Sequence, residues 1–144
     1  MQLTKRGDYA LRAMVDLASQ PIDKFVLSRD VAERQSIPPK FLAQVMMDLS
    51  RAGLVRAVRG AKGGFKIMRA LDQVNVKEIV EAVEGPIALN ICLIRSGACE
   101  LDEECPLYPV WSSAQQKMLE VLEDTTLQDL VHEKTSKNGT KYLK

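Results

Sequence analysis

One histidine, one tryptophan and three cysteines are all that 144 residues provide of these types, and aromatic residues make up 5% of the chain. The histidine, His132, falls on the last short helical segment, far along the chain from the cysteines, and reads as a surface or packing residue. No glycine-rich phosphate loop, nucleophile–base pair or pair of catalytic carboxylates stands out, so the sequence does not read as an enzyme. Long uncharged apolar runs are absent as well, and the first twenty residues carry Lys5, Arg6, Asp8, Arg12 and Asp16, which the apolar region of a signal peptide does not tolerate. The expected location is the cytoplasm, with no membrane partner. In that reducing compartment, an odd and unevenly spaced set of cysteines is a poor disulfide framework and reads as ligands or reactive thiols.

What the chain does contain is 46% hydrophobic and 27% charged residues, enough to bury one core. Its formal charge of +1 hides a division. Residues 1–70 hold thirteen Lys/Arg against six Asp/Glu, and residues 71–144 hold seven against thirteen. A basic half in a cytoplasmic protein points to nucleic acid, because cations that neutralise phosphates release counterions.

Helical spacing of Tyr9, Leu11, Met14, Leu17 and Ala18 predicts a first helix, with Thr4 as N-cap and Pro21 as its stop. Ser28 is expected to cap a short helix, "SRDVAERQ", and after "SIPP" a second helix runs through "KFLAQVMMDLSRAG". Its buried face is predicted to be Phe41, Leu42, Val45, Met46 and Leu49, with Lys40, Gln44, Asp48 and Arg51 outward. Gly53 ends that helix, and "LVRAVRGAKGGFKIM" reads as a basic β-hairpin: between Arg51 and Arg69 there are six cations and no acid. Helix, turn, helix and basic hairpin is the winged-helix order. Asn75 is expected to cap "VKEIVEAVEG". Pro106 would open a long helix striped by Leu107, Val110, Trp111, Ala114, Met118, Val121 and Leu122, and Thr125 with Gln128 would form the capping box of the last helix. Met46, Met47, Met118 and Trp111 are assigned to the core. The fold class is mainly α with a small β-hairpin wing: a winged helix-turn-helix over residues 1–84, a cysteine loop over 85–105, a long helix and a short final one over 106–134, and a frayed tail over 135–144.

In such a unit the second helix enters the major groove, where Gln44 can pair with adenine and Lys40 can reach a base or phosphate. Ser28, Arg29, Arg51, Arg59 and Lys62 are the candidates for phosphates or the minor groove. Ordinary solvated side chains are the competing reading for each residue taken singly. All three cysteines stand in "CLIRSGACELDEEC", as Cys92-x6-Cys99-x5-Cys105. Three thiolates on one glycine-bearing loop suit an iron-sulfur cluster, which needs a further donor. Zinc, a thiol switch and simple packing use the same atoms, although no Cys-x2-Cys knuckle is present and the acids around Glu104 disfavour thiolate formation.

"MQLTKRGDYALRAM", "FLAQVMMDLSRAGLVRAVRGAKGGFKI" and the three-cysteine loop together resemble the Rrf-two family of bacterial winged-helix transcriptional regulators, in particular its iron-sulfur (IscR/NsrR-like) branch. The resemblance covers about residues 1–130. It implies a homodimer, paired through the long helix, that addresses double-stranded DNA at a palindromic operator, most simply as a repressor. It also implies that Cys92, Cys99 and Cys105 hold an iron-sulfur cluster sensing redox, nitric oxide or iron status. In one type of the family a histidine three positions after the last cysteine completes the ligand set, and Tyr108 stands there in this chain. In the other type an aspartate early in the first helix of the opposite subunit does so, and Asp8 occupies that place. The resemblance therefore favours a 4Fe-4S cluster with Asp8 as fourth ligand, with 2Fe-2S as the alternative, and such a cluster is expected to be lost in air. The rival reading is a cluster-free winged-helix regulator controlled by thiol oxidation or by a protein partner.

Overall fold

In the computed structural model, residues 3–101 and 104–136 are described. Thr4, in extended backbone, accepts from the Gly7 N–H and starts α1 (Lys5–Ala18). α2 (Ser28–Gln35) and α3 (Pro39–Arg51) are separated by Ser36, whose left-handed backbone (φ 53°) turns the chain sharply. Ile37 follows that turn, is buried, and donates its N–H to the Ala32 carbonyl, which satisfies the end of α2. Gly53, at φ +77°, performs the same task after α3. β1 (Val55–Val58) and β2 (Gly64–Ile67) then pair antiparallel, with Val55 opposite Ile67 and Val58 opposite Gly64. Val26 adds a bridge to the outer edge of β2, exchanging hydrogen bonds with Phe65 at 2.9 and 2.7 Å, so the wing is tied to the segment that leads into α2.

A one-turn helix (Leu71–Gln73) leads to α4 (Val76–Glu84), which carries a reciprocal Asn75–Glu78 capping box. After a second single turn (Ile91–Leu93) come α5 (Tyr108–Asp124) and α6 (Leu127–Thr135). The core gathers Met14 and Leu17 of α1, Leu42, Val45, Met46 and Leu49 of α3, Leu54, Ile79 of α4, and Leu127 of α6. Leu127 reaches it because its N–H donates to the Val74 carbonyl while the Val76 N–H donates to the Thr125 carbonyl, which stitches the start of α6 to the start of α4. Inside the helix-turn-helix, Asp16 is 1% exposed and accepts from Arg34 Nη2 (2.7 Å), Arg34 Nε (3.0 Å) and Gln35 Nε2 (3.0 Å). Burial alone would raise its carboxyl, but the hydrogen bonds and the Arg34 charge outweigh that and hold it below the usual carboxylate range.

Several expectations need correction. Phe41 and Met47 are not core: they are 51% and 54% exposed. Leu42, Val45, Met46 and Leu49 form the buried stripe of α3, and Phe41 and Met47 project to either side of it. Leu27, not Ser28, occupies the N-cap of α2, and Ser28 is its first residue. The last capping box is Thr126 with Asp129, since the Thr125 hydroxyl is spent on the Val121 carbonyl at the end of α5. Pro106 precedes α5, whose first-turn proline is Pro109. α5 itself has no buried residue: Trp111, Met118 and Leu122 are half-buried, while Leu107, Val110 and Val121 are each more than half exposed. The 135–144 tail lies outside the described residues beyond Ser136.

Candidate nucleic-acid interface and cysteine loop

Positions 40, 44, 47 and 51 of α3 are spaced by three or four residues and form its exposed ridge. Lys40 lies in the first turn of that ridge, Gln44 in its middle and Arg51 at its end. Beside it, an open hollow is lined by Ser28 of α2, Met47, Ser50 and Arg51 of α3, and Val58 and Arg59 of the wing. A second depression joins Ser28 and Arg29 to Gly60 and Ala61 at the wing turn. Lys62 stands exposed in that same turn. The fold thus brings Ser28, Arg51 and Arg59, drawn from three separate parts of the chain, around one hollow, with Arg29 on the adjoining depression and Lys40 and Gln44 further along the exposed ridge of α3. Arg51 Nη1 lies 3.6 Å from Asp48 Oδ1, and Arg6 at the start of α1 pairs with the other Asp48 oxygen. Sequence reasoning placed Asp48 on the exposed face but missed its link to α1. The Arg51 pairing was legible from i,i+3 spacing, whereas nothing local signals Arg6.

Two glycines permit close backbone approaches, Gly64 between the wing and the segment before α2 and Gly63 within the turn of the wing itself. A Cβ on Gly64 would lie 2.4 Å from the Val26 carbonyl oxygen, and one on Gly63 would lie 2.0 Å from that of Val58. A recognition helix with its outward face clear, a basic wing folded against the preceding helix and a cysteine loop before a long unspent helix make a specific combination. Residues 3–133 match Rrf2, described as an iron-dependent transcriptional regulator. The chain belongs to the Rrf2 family.

Among Rrf2 relatives, the chain is 34% identical over 132 residues to the HTH-type transcriptional regulator NsrR of Shouchella clausii, covering 91% of this chain and 89% of that protein. Of solved structures, CymR, the global cysteine regulator of B. subtilis, superimposes with a TM-score of 0.78 at 27% identity, over 92% of this chain and 97% of CymR. T. potens IscR gives 0.77 at 27% identity, over 98% and 93%. This Rrf2 chain is a transcriptional regulator and not an enzyme. Among the described residues, no helix is long and apolar enough to cross a membrane.

The cysteine loop of this Rrf2 protein is tied to the helices on either side of it at its start. Ile87 and Leu89 donate their N–H groups to the Glu81 and Gln115 side chains at 3.2 and 2.8 Å, and Asn90 caps the turn that carries Cys92. Cys92 is buried, Cys99 and Cys105 are half-buried, and all three thiols are free. Asp8 is exposed in the first turn of α1, where its carboxylate lies 3.3 Å from Arg12 Nε. Among the described residues, no three His, Cys, Asp or Glu side chains gather closely enough to hold a metal ion. The donor chemistry fits a cluster, three unpaired thiols on one loop, while the loop must draw them together to bind it. His132 is exposed on α6, apart from the cysteine loop in the sequence.

Proposed function

We propose that this protein is a homodimeric repressor of the Rrf2 family, reading a palindromic operator with α3 and the wing, and that an iron-sulfur cluster on the 92–105 loop sets its affinity for DNA. Residues 1–84 are the DNA-binding unit in this reading, 85–105 the sensing loop and 106–134 the dimerisation segment. The observation that carries the DNA-reading part is the convergence of Ser28, Arg51 and Arg59 on one hollow at the end of the α3 ridge that also holds Gln44. Lys40 and Gln44 meet base edges, while Ser28, Arg29, Arg51, Arg59 and Lys62 meet phosphates or the minor groove. Dimerisation is supported by Leu107, just before α5, and by Val110 and Val121 on it, which the described residues leave more than half exposed.

Cys92, Cys99 and Cys105 would hold the cluster, 4Fe-4S in preference to 2Fe-2S, with Asp8 of the partner subunit as fourth ligand. When bound, it supplies a centre that responds to oxidants, nitric oxide or iron supply. Asp8 stands two residues from Arg6, which pairs with Asp48 on α3, so ligation at Asp8 would bear on the recognition helix through one ion pair. The cluster shifts DNA affinity only to the extent that it favours one setting of α1 against α3. The Asp8–Arg12 pair, which already occupies that carboxylate, favours the alternative, a cluster-free regulator controlled by thiol oxidation or a protein partner, with Cys99 and Cys105 the more accessible thiols.

Protein purified without oxygen should be brown, with iron and sulfide in its content, and Cys92→Ala, Cys99→Ala or Cys105→Ala should each abolish the visible absorption. A colourless protein that cannot be reconstituted, yet still binds its operator, selects the cluster-free reading. The two kinds of DNA contact separate by salt titration. Gln44→Ala should relax sequence preference by about 1–3 kcal/mol at one position per half-site, and Lys62→Ala should weaken binding to every duplex and reduce the salt slope by about one unit.

A further inference from the structure

Met47 has no structural reason to be where it is. The core takes Met46, its neighbour, completely, and leaves Met47 54% exposed on the outward ridge of α3. Gln44 precedes it by three residues and Arg51 follows it by four, so the three side chains form one continuous row. Met47 also lines the hollow shared with Ser28, Ser50, Arg51, Val58 and Arg59, where Val58 is the other exposed large apolar side chain. Between Gln44 and Arg51, the exposed row of α3 is therefore apolar, and it meets the apolar part of the hollow.

In the major groove one feature of the bases is apolar, the 5-methyl group of thymine. We propose that Met47 is a specificity-determining residue that packs its thioether against a thymine methyl, next to the base addressed by Gln44. This rests on the DNA-reading assignment made above and adds a base identity to it. Methionine suits the role because its unbranched, polarizable side chain adapts to the position of the methyl. Arg51 and Arg59, on either side of the hollow, hold the backbone while Met47 tells thymine from cytosine.

The test uses duplexes enriched by the full-length wild-type protein from a randomised pool, with each thymine then replaced singly by deoxyuridine, which removes the methyl and leaves every hydrogen-bonding group. Affinities are measured at one fixed salt concentration for wild type, Met47→Ala and Met47→Leu. Wild type should lose about fourfold at one thymine in each half-site, the value of burying one methyl group. Met47→Ala should bind the thymine and uracil duplexes equally there, and Met47→Leu should keep the preference. Equal uracil sensitivity of wild type and Met47→Ala at every thymine, or an enriched sequence without thymine, overturns the role of Met47 while DNA reading stands. Failure of wild type to enrich any sequence overturns DNA reading itself and this inference with it. Since Met47 is exposed, unchanged thermal melting of the variants should accompany either result.

Discussion

Asp16→Ala should cost this regulator about 2–3 kcal/mol of stability at neutral pH, which for a chain of this size is a fall in melting temperature of about 8 °C. Asp16 is 1% exposed and takes hydrogen bonds from both Arg34 and Gln35, so it is the polar tie that fixes α1 against α2. Its removal leaves the Gln35 amide without a partner, whereas Arg34, whose side chain is 41% exposed, recovers part of its hydration. That partial recovery keeps the cost below that of breaking a fully buried pair. The same carboxylate predicts an acid limit. Its folded pKa is lowered, so its contribution is complete above the unfolded value, near 3.8, and disappears as pH falls through the lower folded value. Wild type should lose stability over that acid window more steeply than Asp16→Asn, and thermal melts at several pH values would show it. Parallel pH profiles for the two proteins would rule out the tie.

Gly64→Val should detach the wing while the helices stay folded, and should lower operator affinity at least tenfold. Two independent effects act at this residue. Its φ of +131° is a conformation that side chains other than glycine rarely adopt, costing on the order of 1–3 kcal/mol. Its Cβ would also meet the Val26 carbonyl oxygen at 2.4 Å, which breaks the 2.7 Å bond that oxygen accepts from the Phe65 N–H. Arg59 and Lys62 are carried by the same hairpin, so their contacts are lost together when it swings away. Gly60→Ala is the control: Gly60 has φ +110° but open space around it, so only the conformational cost remains. Circular dichroism should show unchanged helix content in both variants, and operator titration should show a much larger loss for Gly64→Val. Equal losses would mean that the approach to Val26 is not what holds the wing.

The order of elements, the caps at Thr4 and Asn75 and the glycine after α3 follow from the sequence, because each depends on atoms within four residues of one another. The basic hairpin and the acid-rich cysteine loop are equally local, being runs of composition. Periodicity failed where two large apolar residues stand side by side: it could not choose between Met46 and Met47, nor exclude Phe41, because the width of the buried stripe depends on what packs against it. Thr125 and Thr126 offer the same hydroxyl, and only the end of α5 decided which of them caps α6. Asp16 was legible as a charge on the first helix, yet its burial against Arg34 was not, and the Arg6–Asp48 pair spans 42 positions of sequence. The sequence by itself determined which helices and which hairpin form, and which side chains are candidates for the proposed DNA and cluster contacts. Tertiary structure decided which of those side chains face one hollow, since burial and long-range pairing are properties of surfaces that meet only after the chain has folded, and no local spacing encodes their encounter.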